Sequence, residues 1–111
     1  MALTINVTTT DPTGGPDYAS GIHVLFDTRL FAGSTDVLFV LHYYRSKVDF
    51  EAGKSEISAP SNCNLTSVLI KGISLEDYFE LNAVTLHDLV KDKLEELVGV
   101  GNVSIDLGLS S

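Results

Sequence analysis

Residues 36–44 read DVLFVLHYY, apolar or aromatic at every position except Asp36 and His42. Successive side chains of a strand point to opposite faces, so a strand of this composition needs cover on both. The preceding stretch, GIHVLFDTRLF, leads into AGST, where Gly33 suits a tight hairpin turn. If Phe31 opposes Asp36, then Leu30 opposes Val37, and so on down to His23 opposite Tyr44. One face of this hairpin carries Val24, Phe26, Thr28, Leu30, Val37, Phe39, Leu41 and Tyr43 and is almost wholly apolar. The other carries His23, Leu25, Asp27, Arg29, Phe31, Asp36, Leu38, Val40, His42 and Tyr44 and is mixed. A slip of one residue would mix the two sets, so the register is strongly specified.

The rest of the chain supplies one obvious cover. Residues 2–9, ALTINVTT, alternate, with Leu3, Ile5 and Val7 on one side, the period of a half-buried strand. TDPTGGPDYASG, residues 10–21, is a loop by composition. It is longer than the ~4–6 residues that usually join elements, and is expected to be mobile unless a neighbouring subunit orders it. KVDFE, residues 47–51, alternates and reads as a strand, with a turn at Gly53. Residues 56–58 suit a short return strand, APSNCN a loop, and LTSVLIK, residues 65–71, another strand ended by Gly72. Ser74 with Asp77, and Thr85 with Asp88, are spaced like capping boxes, with Asp for Glu. They predict a short helix in LEDYFEL and a longer one in LHDLVKDKLEELV. In the longer helix Leu86, Leu89, Val90, Leu94, Leu97 and Val98 form one stripe, while Asp88, Lys91, Asp92 and Glu95 face away. Gly99 is placed to end it. NVSIDLGL then reads as a closing strand with Val103, Ile105 and Leu107 on one side.

The expected fold is a single α+β domain over residues 1–111: an antiparallel sheet of about five or six strands, a C-terminal amphipathic helical segment on one face, and a closing strand. The helix stripe covers the Val24–Tyr43 face. No remaining segment is assigned to the other face, so a second chain, or curling of the sheet, is expected to cover it. The candidate interface is Leu25, Arg29, Phe31, Leu38, Val40, His42 and Tyr44.

Fifteen acidic residues against seven basic ones give a net charge of −8. A phosphate backbone or an anionic membrane would repel such a chain, and the acids are dispersed among bases rather than gathered in a DNA-like stripe. The single cysteine, Cys63, has no internal disulfide partner. MALTINVTTT has neither a basic n-region nor a long apolar core, so export through a signal peptide is not expected. Without export, the sequons at Asn6, Asn64 and Asn102 are incidental.

No pattern points to catalysis. His23, His42 and Asp27 share the mixed face and are metal ligands by type, but no partner fixes the rings. Partly exposed sheet histidines are the simpler reading, with no metal or cofactor expected. Cys63 reads as a loop thiol with no base beside it, and His87 as a solvent-facing helix residue. TGGP at 13–16 is turn chemistry. GVG at 99–101 follows a helix rather than opening one, the wrong order for a phosphate site. Glu76, Asp77 and Glu80 read as a solvated helix face without calcium-loop spacing. Of the pair Tyr43–Tyr44, one ring belongs to the core and the other to an interface.

The Thr-rich start ALTINVTTT, the hairpin GIHVLFDTRLFAGSTDVLFVLHYYR, the helical segment SLEDYFELNAVTLHDLVKDKLEELVG and the closing NVSIDLG together cover most of the chain. This outline resembles the small virion structural proteins of tailed bacteriophages, such as tail, neck or head-completion subunits. The resemblance carries no catalytic residues. It implies a structural, non-enzymatic subunit that assembles with copies of itself and with other structural proteins, in a virion or the cytoplasm. The alternative is a small acidic inhibitor or adaptor that binds one protein partner.

Overall fold

The computed structural model describes residues 2–30, 36–71 and 83–106. Five strands, β1 (Ala2–Ile5), β2 (Ile22–Leu30), β3 (Val37–Tyr44), β4 (Ser67–Ile70) and β5 (Val103–Asp106), form one antiparallel sheet in the order β4-β3-β2-β1-β5. Among the described residues two helices accompany them, α1 (Lys47–Glu51) and α2 (Ala83–Val98), with a 3-10 turn at Ser61–Cys63. The class is the expected α+β.

The hairpin runs in the expected register, from His23 opposite Tyr44 to Leu30 opposite Val37. Phe31 and the AGST turn lie outside the described residues. On the inward face Val24, Phe39 and Tyr43 are fully buried and Val37 and Leu41 nearly so. They join Leu3 and Ile5 of β1, Val68 of β4, Val103 of β5, and Val90 and Leu94 of α2 in one core. The closing strand pairs with β1, Leu3 opposite Ile105 and Ile5 opposite Val103. That places Val103 and Ile105 on the side the alternation assigned to them; Leu107 lies outside the described residues.

The stripe on α2 is buried along most of its length. Leu86 and Val98 pack against the core around Val90 and Leu94, but Leu97 is 48% exposed. The helix does not begin at the Thr85–Asp88 signal: it is already formed at Ala83, so Thr85 is an interior residue. The segments around Ser74–Leu81 and Glu76, Asp77 and Glu80 lie outside the described residues. Gly99 ends the helix as expected, with φ +103°, where a left-handed conformation favours glycine.

Glu95 departs from the expected solvent face. It is 9% exposed, and its carboxylate accepts a hydrogen bond from the Gly101 N–H at 2.6 Å and meets the Lys91 ammonium at 3.6 Å. The return to β5 folds back over the last helical turn, with the Asn102 side chain donating to the Val98 carbonyl at 2.6 Å. This brings the Gly101 amide onto Glu95, something the helical period cannot encode. Glu95→Ala should cost about 1–3 kcal/mol, because a charge-assisted acceptor is lost and the Gly101 amide loses its partner. Asp92→Ala should stay within about 0.5 kcal/mol. Urea unfolding of both variants measures the contrast.

Two further expectations are overturned. KVDFE is the helix α1 rather than a strand. The Ser46 hydroxyl caps it by accepting from the Asp49 N–H at 3.0 Å. At its end the Gly53 N–H donates to the Phe50 carbonyl and the Lys54 N–H to the Asp49 carbonyl, with Gly53 at φ +76°. This is a Schellman closure. An alternation of two apolar residues is too short to outweigh caps at both ends, and Val48 is 75% exposed. The 10–21 loop, expected to need a neighbour, is anchored by its own chain. Thr9 and Tyr18 exchange backbone hydrogen bonds at 3.1 and 2.7 Å. Tyr18 is buried, with the Arg45 guanidinium over its ring at 5.3 Å. The Ser61 N–H donates to the Thr10 carbonyl at 2.9 Å, and the Thr10 N–H to the Asn62 side chain at 3.0 Å. Tyr18 supplies the apolar anchor that a loop rich in Gly and Pro otherwise lacks. Residues 56–58 contribute a single bridge, Ile57 to Tyr43.

Candidate functional site

The sheet face turned away from the core carries the expected interface residues. β2 contributes His23, Leu25, Asp27 and Arg29; β3 contributes Leu38, Val40, His42 and Tyr44. β4 extends the face with Ser67 opposite Val40 and Leu69 opposite Leu38. Phe31 lies outside the described residues.

This face is not wholly left to a partner, as it would be if 47–51 were a strand. α1 folds back across one end. The Phe50 ring lies 5.1 Å from His23 and 4.8 Å from Tyr44, and Lys47 pairs with Asp106 at 3.0 Å. His23 is therefore buried, and Tyr44 belongs to the end under α1. Beyond α1, Leu25, Leu38 and Val40 are half-buried, Asp27 and Arg29 are exposed, and Leu69 is 47% exposed. Leu69 was not among the expected residues. Its strand was legible in LTSVLIK, but no local signal says that β4 lies beside β3, which is what places Leu69 next to Leu38.

The two strand histidines sit in opposite environments. Burial beneath Phe50 pushes the His23 imidazole below its ordinary value; Lys47 adds to this, while Asp106 and Glu51 oppose it. Its Nδ1 has no hydrogen-bond partner among the described residues. His42 is partly buried, which disfavours its charged form. Hydrogen bonds to Asp27 and Glu56, and the charges of both, outweigh that and raise its pKa. Nε2 lies 2.9 Å from Asp27 Oδ2, and Nδ1 lies 3.1 Å from Glu56 Oε1. The two carboxylates thus sit at opposite nitrogens of the ring and do not converge on one point. Among the described residues no group of three His, Cys, Asp or Glu side chains is placed to hold a metal ion.

Cys63 is not a loop thiol open to solvent. It is fully buried in the 3-10 turn, and burial pushes its thiol up to about 11, which leaves almost no thiolate at neutral pH. Tyr43 lies beside it, held by a hydrogen bond from its hydroxyl to the Leu65 carbonyl. His87 is half-buried rather than solvated, its ring 4.5 Å from Phe26. A cleft of about 570 Å³ opens beside β3, with Leu41 and Tyr43 among its walls and Glu56, Ser58, Ser61 and Thr66 supplying polar groups. No helix among the described residues is long and apolar enough to cross a membrane.

Comparison with known proteins finds no matching family model, no similar curated protein and no similar solved structure.

Proposed function

We propose that the chain is a non-enzymatic structural subunit that packs the outer face of β2, β3 and β4 against a second copy of itself, within a virion assembly of the tail or neck type that its sequence outline resembles. The observation that carries this reading is the composition of that face. Leu38, Val40 and Leu69 form an apolar group on adjacent strands, bordered by an exposed acid, Asp27, and an exposed base, Arg29, two residues apart on β2. Contiguous exposed apolar surface is a common mark of an interaction site. A two-fold axis through the patch would set Asp27 of each copy against Arg29 of the other, the self-complementarity that an isologous contact requires. In a chain of net charge −8, such pairing at the contact offsets part of the repulsion between copies.

Sedimentation and light scattering across a concentration series test the proposal. A dimer, ring or polymer is the expected result. A monomer at about 10 μM, which corresponds to association weaker than about 7 kcal/mol, would overturn self-assembly through this face and favour an acidic protein that binds a different partner.

A further inference from the structure

Residues 54–58 leave α1 as a strap beside the end of β3 that β4, paired with Val37–Val40, does not reach. The Ile57 N–H donates to the Tyr43 carbonyl at 2.8 Å in an isolated bridge. One residue earlier, Glu56 meets Nδ1 of His42, while Asp27 of β2 meets Nε2. A carboxylate only accepts hydrogen bonds. Both contacts are therefore hydrogen bonds only when both ring nitrogens carry hydrogen. A neutral imidazole has one N–H; it would bond one carboxylate and turn a lone pair toward the other.

We propose that His42 is an imidazolium at neutral pH and serves as a protonation-dependent clasp, holding the 54–58 strap, and the cleft wall it forms, against the sheet. The ring ties three segments together: its own strand, β2 through Asp27, and the strap through Glu56. Among the described residues these two carboxylates are the charged groups that bear on it, and both favour the cation. Because the folded-state value lies above the ordinary 6.5, the clasp is fully engaged below that pH and is released as pH rises through the folded value. On release Glu56 faces an uncharged ring, and the strap keeps only the Ile57 bridge, the packing of Ile57 against the core and the Tyr18 hydroxyl's bond to the Ser58 carbonyl at 3.4 Å among its described contacts. The contact is internal to one chain, so it stands whether or not copies associate. His23 is the internal control, since burial pushes its imidazole in the opposite direction, below the ordinary value.

The test is an imidazole proton–nitrogen correlation spectrum of the full chain, followed between about pH 5 and pH 9 to bracket an ordinary imidazole, with hydrogen exchange at the Ile57 amide corrected for its intrinsic pH dependence. Both His42 nitrogens should be protonated at neutral pH, with a midpoint above 6.5. Ile57 should lose protection as pH passes that midpoint. Glu56→Gln and Asp27→Asn should each lower the midpoint, and His42→Gln should abolish the pH dependence of Ile57 protection. A singly protonated His42 at neutral pH would overturn the proposal. So would Ile57 protection in His42→Gln that follows pH as the unaltered chain does. An unchanged His23 signal shows that a variant retains the fold.

Discussion

Leu41→Lys should abolish the fold, whereas Val40→Lys, one residue away, should leave it standing and weaken self-association. Leu41 is 4% exposed and faces the core beside Tyr43 and Phe39. Seating an ammonium among these packed apolar side chains carries a penalty of several kcal/mol against a total stability of about 5–15 kcal/mol for a domain of this kind. Val40 is half-buried on the opposite face, between Asp27 on β2 and Ser67 on β4. A lysine there can extend its stem over the sheet and keep its head in solvent, next to an acid. In a closed contact between copies the same lysine would have to be desolvated and would draw Asp27 away from Arg29, at a cost of several kcal/mol. Circular dichroism melts and light scattering on both variants separate the outcomes. If Val40→Lys unfolds as badly as Leu41→Lys, the outer face is buried within one chain. If it folds and associates as before, the contact lies elsewhere.

The second large effect belongs to the helix. Leu94→Ala should destabilise the chain by about 2–5 kcal/mol, the usual range for a leucine removed from a packed core, because Leu94 is fully buried among the sheet residues. Leu97→Ala, in the same stripe, should cost no more than about 0.5 kcal/mol, since the side chain is half in solvent. Denaturant titration with unchanged m-values checks the pair. Equal losses would mean that α2 sits rotated on the sheet, with Leu97 in the core.

The distinction between Leu94 and Leu97 is typical of what could and could not be read from the residues. Period and spacing placed Leu94 and Leu97 on one stripe. How far the sheet extends beneath the helix decides which of them is buried. Glu95 is the reverse case: its position on the helix points to solvent, and a glycine six residues later in the chain brings an amide to it. Likewise Ser46 is a cap residue by type, but the two-residue alternation of Val48 and Phe50 points to a strand instead. A strand there would leave the outer face without the cover α1 provides and His23 unburied. Tyr18, the anchor of the 10–21 loop, shows nothing locally that distinguishes it from a solvent-facing loop tyrosine.

The α+β class, the hairpin register, the inward set from Val24 to Tyr43, the helix stop at Gly99 and the closing strand are all legible in the residues. Each of these follows from side-chain alternation, helical spacing or a glycine able to take positive φ, and those preferences act over a few neighbouring residues. Four features emerge only when the chain is packed: the strand order β4-β3-β2-β1-β5, the folding of α1 across the outer face, the placing of Leu69 beside Leu38, and the meeting of Asp27, His42 and Glu56. These depend on which distant segments share an edge or a face. Burial of the common core selects that arrangement, and no local period encodes it.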